Sequence, residues 1–450
     1  MSKQPPAKRI QPLYQKLPSG RSSRSSEDIA ANQLERLQGA VIHAISNRGY
    51  HNTTVAEIIA LAGVARRTFY EHFENKEECF LAAYDAILER TMTHVVSAYA
   101  ATEDWEQKIQ DAFLAFVEEV VSEPEAAELV LIHSASAGEP SIERRNHGVQ
   151  AFEQLIRDGF SHDAAYEEIS ELTVKAIVGG VRQIIYGRLR QGRAIELPAL
   201  VPDLLTWAAS YRHPVPLQSA RGKTRKPASP TSESEEPPQK LSRGRHNFPR
   251  SFIIHNQRER ILDAVADISA SKGYAELTVP EIARTAGVSH KTFYEHFTTK
   301  DQAFAAAFEL AAEQALNATA VAFAAEPQWP SAVHAGIAAL VGYMASEPSL
   351  ARLALVEVLA AGPSLLARRD QTLQGFSIML TSGQGYPGRS RQTPAIVPEA
   401  ISGGILEILY YEASHSRITE MTRLSDELTR IALTPFIGSK EAAKTASEAL

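Results

Sequence analysis

The chain has one cysteine, Cys79, among 450 residues. That excludes an intrachain disulfide and the Cys-rich cage of a structural zinc, and fits a reducing compartment. No apolar run approaches the roughly 18 residues that a membrane span needs. The first 26 residues are polar and lack the apolar core of a signal peptide, so a soluble, cytoplasmic protein is expected. Strand-like alternation is also missing, which points to an all-α fold. At 44% hydrophobic content the chain is too apolar to be mainly disordered, and its length suits several domains.

The net charge of -7 is unevenly spread. Residues 1–26 hold six Lys or Arg and no acid, and residues 213–250 hold eight basic residues against three acids. The rest is therefore more acidic than the total suggests. Acidic bodies with basic arms repel polyanions except at defined places.

The chain is duplicated. Residues 36–85 and 260–309 align at a constant offset of 224 with 22 of 50 positions identical. The register persists beyond that block: Ser122-Glu123-Pro124 matches Ser346-Glu347-Pro348, Gly179-Gly180 matches Gly403-Gly404, and Tyr186 matches Tyr410. A period of this length means a repeated folding unit. Between the copies, residues 213–250 are rich in Pro, Ser and charge, as in a flexible linker. Its Gly222-Lys223-Thr224 resembles the end of a phosphate loop, but Leu217 stands where that motif needs Gly.

Helices are expected from apolar spacings of three and four, as at Leu34, Leu37, Val41 and Ile45. Gly49 and Gly273 should end the first helix of each copy. Further helices are expected near 77–99, 105–122, 125–137, 141–159, 164–191 and 198–211, with counterparts 224 residues later. Thr54-Val55-Ala56-Glu57 and Thr278-Val279-Pro280-Glu281 read as capping boxes, and Ala62-Gly63-Val64 and Ala286-Gly287-Val288 as tight interhelical turns. A short third helix follows in each copy. Phe69 and Phe73 face its core side, with Arg67, Thr68 and Glu71 opposite and Arg66, Tyr70 and His72 on the flanks. The second copy presents Lys291, Thr292 and Glu295, flanked by His290, Tyr294 and His296. Arg or Lys with Thr and an aromatic is the chemistry of groove reading. Tyr70 and Tyr294 also suit packing with wet hydroxyls. Glu71 and Glu295 suit either acceptance from cytosine N4 or solvation as negative charges that repel wrong sequences.

These residues resemble the TetR family of one-component regulators. T-V-A-E-I-I-A-L-A-G-V-A-R-R-T-F-Y-E-H-F-E-N-K and T-V-P-E-I-A-R-T-A-G-V-S-H-K-T-F-Y-E-H-F-T-T-K both fit its signature. The resemblance implies two tandem units, each with a three-helix helix-turn-helix DNA-binding domain and an α-helical effector and dimerisation domain. The expected limits are 1–26 for a basic arm, 27–76 and 251–300 for the heads, 77–212 and 301–437 for the regulatory domains, 213–250 for the linker and 438–450 for a tail. It further implies contacts to operator DNA, mostly at phosphates, from Thr54, Thr68, Tyr70, His72 and Lys76, and from Thr278, Thr292, Tyr294, His296 and Lys300. Base choice falls on Arg66, Arg67, His290 and Lys291. Ser289 caps the second reading helix and offers a phosphate contact, whereas the first copy has Ala65. Either Arg66 and Arg67 compensate electrostatically or the first head is degenerate. Arg243 and Arg245, just before the second head, suit an arm entering a minor groove.

An effector pocket belongs among the middle helices, with His133 and its counterpart Glu357 as candidate contacts. His162, Asp158 and Asp163 do not converge, so no metal is expected, and no cofactor. Catalytic motifs such as G-x-S-x-G and H-E-x-x-H are missing. The expected function is sequence-specific regulation by two heads in one chain, as an intrachain pseudo-dimer on an imperfect inverted repeat, most simply a repressor released by a small apolar effector. The alternatives are a homodimer with four heads, an architectural DNA-binding protein without an inducer, and an adaptor with degenerate heads.

Overall fold

The computed structural model describes residues 25–134, 137–161, 169–211, 250–386 and 393–448. Arg243, Arg245, His162 and Asp163 lie outside them. Among the described residues there is no strand and no helix long and apolar enough to cross a membrane. The chain forms two compact bodies, Met1–Glu167 with Ile177–Ala209, and Glu168–Ala176 with Ser210–Leu450.

The first repeat runs α1 (Ser26–Arg48), α2 (Val55–Ala62), α3 (Arg66–His72), α4 (Lys76–Tyr99), α5 (Trp105–Ser122), α6 (Pro124–Leu131), α7 (Glu139–Ser161), α8 (Glu171–Arg190) and α9 (Leu197–Ala209). Ser25 starts α1 in a reciprocal capping box with Asp28, both bonds at 3.1 Å. Gly49 ends it with φ at +76°, a conformation that suits a residue without Cβ. Leu37, Val41, Ile45, Ile58, Phe69 and Phe80 form a buried core that extends to Leu129 of α6. The head and the regulatory helix α6 therefore share one core.

The second repeat runs α10 (Arg250–Lys272), α11 (Val279–Ala286), α12 (His290–His296), α13 (Lys300–Ala325), α14 (Trp329–Ser346), α15 (Pro348–Leu355), α16 (Pro363–Thr381), α17 (Val397–Ser414), α18 (Ser425–Ile437) and α19 (Ser439–Glu448). Val265, Ile282, Phe293 and Phe304 repeat the core, joined by Leu350 and Leu353 of α15. Pro124 and Pro348 open α6 and α15, where the missing N–H needs no partner. Within the second body Gly404 meets the start of α8 closely: a Cβ there would lie 2.5 Å from the Ala176 carbonyl oxygen. The in-helix glycine thus permits a backbone approach that any side chain would block.

Two expectations need correction. The helix expected over 125–137 stops at Leu131, and both Ile132 and His133 N–H groups donate to the Glu128 carbonyl. The following Ser-Ala-Ser-Ala-Gly run is a poor helix continuation. The segment expected as a tail over 438–450 instead contains α19, whose Ala442 and Ala446 are buried. Their i, i+4 spacing gives even this polar helix one face to pack.

Candidate nucleic-acid interface

Each head turns from its second to its third helix through a left-handed glycine, Gly63 at φ +61° and Gly287 at φ +62°. An arginine of the first helix pins this turn. Arg36 donates to the carbonyls of Ala62 and Gly63, the latter at 2.7 Å. Arg260 does the same to Ala286 and Gly287, the latter at 2.9 Å. These bonds satisfy carbonyls that a helix end leaves open. The motif alone did not reveal this role, although the identity of Arg36 and Arg260 across the repeat was a signal for it.

The third helices present the expected sets. Phe69, Phe73, Phe293 and Phe297 are buried. Arg66, Arg67, Tyr70 and Glu71 are exposed, as are His290, Lys291, Tyr294 and Glu295, while Thr68, His72, Thr292 and His296 are half-buried. Tyr70 and Tyr294 are 48% and 57% exposed, more than a packing role requires. Arg66 stands 5.7 Å from the Tyr70 ring. Arg67 Nε donates to Glu71 at 2.8 Å, whereas Lys291 lies 4.0 Å from Glu295. Burial, then the charge of Arg258, holds the His296 pKa below its ordinary value, so this ring is neutral near pH 7.

The two helix starts differ as their residues dictate. Ser289 Oγ accepts from Thr292 N–H at 3.0 Å, while Ala65 offers no side-chain bond. Thr54 accepts from Glu57 N–H at 3.3 Å, but Thr278 makes no such bond. The reciprocal half of each expected capping box gives way to ion pairs. Glu57 takes Arg48 at 3.1 Å, and Glu281 takes Lys272 at 2.6 Å and Arg284 at 3.3 Å. A charge-assisted bond outcompetes one to a neutral N–H.

Lys76 points into its head. Its Nζ donates to the carbonyls of Tyr50 at 2.7 Å and Thr53 at 2.9 Å and stands 4.1 Å from the Tyr50 ring. Burial lowers its pKa. A phosphate contact from Lys76 would have to replace those bonds. Lys300 lies 5.1 Å from the Tyr274 ring.

The second body holds an apolar cavity of about 130 Å³ between α13, α14, α15, α16 and α17, walled by Phe308, Ile337, Met344, Leu373, Phe376 and Ile405. Arg369 and Ser402 also line it. Ser402 Oγ is buried and has no hydrogen-bond partner. Glu357, expected as an effector contact, is not in this wall. It caps the turn after α10 by accepting from Tyr274 N–H at 3.0 Å, because that buried N–H needs an acceptor and a carboxylate is a strong one. His133 is buried beyond the end of α6, and burial followed by the charge of Arg190 pushes its pKa down to about 4.

The sequence profile of the family described as bacterial regulatory proteins, tetR family, matches residues 40–83 and again 261–307. The HTH-type transcriptional activator FasR of Mycolicibacterium smegmatis is 25% identical over 154 residues, covering 34% of this chain and 70% of that protein. The HTH-type transcriptional regulator YvdT of Bacillus subtilis, itself uncharacterized, is 23% identical over 145 residues, covering 31% of this chain and 72% of its own. The solved fatty acid degradation regulator FadR from Bacillus halodurans aligns with 39% of this chain and 94% of its own at 19% identity and a TM-score of 0.37.

Proposed function

The chain is a TetR-family regulator with the family's DNA-binding unit present twice, and from that premise we propose that it reads an imperfect inverted repeat with its two unlike heads. The supporting observation is one scaffold carrying two outward sets: Arg66 and Arg67 in one head, His290 and Lys291 in the other. In this reading those four residues choose bases. Thr54, Thr68, Tyr70, His72 and Lys76 hold backbone phosphates, as do Thr278, Ser289, Thr292, Tyr294, His296 and Lys300. Arg243 and Arg245 add an arm ahead of the second head.

The domain limits are proposed at 27–76 and 251–300 for the heads and 77–212 and 301–437 for the regulatory domains. The two units pair within one chain as a pseudo-dimer. A linker of 29 residues, His213 to Leu241, has a root-mean-square reach of about 27–32 Å. It raises the effective concentration of the second unit to roughly millimolar. The protein acts in the cytoplasm as a repressor, released when a small, largely apolar effector fills the cavity beside Ser402. Activation is the second reading, favoured by the name of the relative FasR.

Binding-site selection with the purified chain, then footprinting and transcription from the selected site, tests this. A sharp footprint over two unequal half-sites supports the reading. Equal affinity for random duplexes replaces it with an architectural role, and no salt-sensitive DNA binding replaces it with an adaptor. The sign of the transcriptional effect separates repressor from activator.

A further inference from the structure

α8 and α17 are aligned copies with similar apolar frames, but their charges differ in sign. α8 holds Lys175, Arg182, Arg188 and Arg190 against one acid, Glu171. α17 holds Glu399, Glu407 and Glu412 and no Lys or Arg. At aligned positions Lys175 faces Glu399 in the comparison, Arg188 faces Glu412, and Gln183 faces Glu407.

Not all of these charges are available for choosing a partner. Glu412 already accepts from Arg417 at 2.9 Å and from Arg423 at 2.5 Å. Arg182 acts on the buried Tyr84 hydroxyl of the first body. Lys175, Arg188 and Arg190 remain on α8, and Glu399 and Glu407 on α17.

The geometry of α17 shows which side matters. Ser402, Ile405, Leu406 and Leu409 line the cavity. At about 100° per residue, Ala400, Gly404, Glu407 and Tyr411 fall on the opposite side. Within the second body that side meets the start of α8: Gly404 abuts Ala176, and Lys175 Nζ stands 4.1 Å from the Tyr411 ring. Glu407 is 9% exposed. A carboxylate so buried needs a compensating cation or donors, and α17 supplies no cation of its own.

We infer that the opposite charges of α8 and α17 specify the pairing partner: α8 is built to lie against α17 of the same chain and to reject a second α8. This rests on the pseudo-dimer reading and names what selects it. A two-fold pair of identical helices sets each charge near its own copy. Two α8 helices would gather Lys175, Arg188 and Arg190 at one interface, and two α17 helices would bury Glu407 beside Glu407. The unlike pair sets cations against carboxylates. Repulsion in the wrong complexes adds to specificity as much as attraction in the right one.

The test uses the full chain in four forms: wild type, K175E/R188E, E399K/E407K, and all four substitutions together. Light scattering gives the mass and thermal unfolding the midpoint, both without DNA. Wild type is expected at one chain, 49.2 kDa. Each two-site variant should shift toward larger species or lose several degrees in midpoint, and the four-site variant should recover both properties. Equal behaviour in all four forms overturns the inference, as does a four-site variant no better than the poorer two-site one. Operator binding is scored separately: reversal and rescue without any selected operator keeps the pairing and retires the regulator, and an operator-binding chain without reversal does the opposite.

Discussion

The Glu357 carboxylate accepts the Tyr274 backbone N–H at 3.0 Å, joining the segment after α15 to the turn that closes α10. α15 also contributes Ala351, Ala354 and Leu355 to the cavity wall. One short helix therefore touches both the cavity and, through Glu357, the head.

Removing that acceptor should destabilise the protein. Glu357→Ala leaves a buried N–H unpaired and is expected to cost about 1–3 kcal/mol, whereas Glu357→Gln keeps an acceptor and should cost less. Burial raises the Glu357 pKa, opposed by the Tyr274 N–H and Arg352. A raised folded-state pKa favours the protonated form, so this contribution is present below the unfolded value and is lost as pH rises through the folded one. Urea titrations at pH 5 and pH 8 should show Glu357→Gln gaining on wild type at the higher pH.

The two reading helices differ by one cap. Ser289→Ala should cost about 0.5–2 kcal/mol, and Ala65→Ser should gain a similar amount. Denaturant midpoints of the two single variants decide this, and a neutral Ser289→Ala would show that the 3.0 Å bond to Thr292 contributes nothing.

Base reading is tested at Arg67 and Lys291. Alanine at either is expected to weaken specific binding by about 1–3 kcal/mol and to relax preference in one half-site only. Since Arg67 is paired with Glu71, Glu71→Gln should raise non-specific affinity. A perfectly symmetric operator selected by wild type would count against two unlike heads.

His133 should make the protein acid-sensitive. Its folded pKa of about 4 lies below the ordinary 6.5, so the unfolded state takes up the proton first as pH falls. Stability is unaffected above about pH 6.5 and declines between 6.5 and 4, by up to about 3 kcal/mol. His133→Asn should flatten that part of the curve; an equal decline in the variant would assign the acid sensitivity elsewhere.

Much of the interface was legible because its signals are local. The offset of 224, the helix periods, Gly63 and Gly287 at the turns, and Phe69 and Phe73 on the inner side follow from spacing along one or two helices. The missing cap at Ala65 was equally plain. Arg36, Lys76 and Glu357 were not legible in the same way. Their partners Gly63, Tyr50 and Tyr274 lie 27, 26 and 83 residues away, and an apolar pattern carries no record of which carbonyl or N–H a polar side chain will meet.

The sequence by itself determined the number of units, the all-helical class and the two different outward sets, because helix propensity, glycine conformation and the 3.6-residue period act within a few residues. Tertiary structure decided the uses of the charged and buried polar groups. Glu57 and Glu281 turn to cations of the preceding helix, Lys76 turns inward, and Glu357 turns from the cavity to the head. Those choices depend on which unsatisfied groups packing brings within hydrogen-bond distance, and only the assembled helices set that distance.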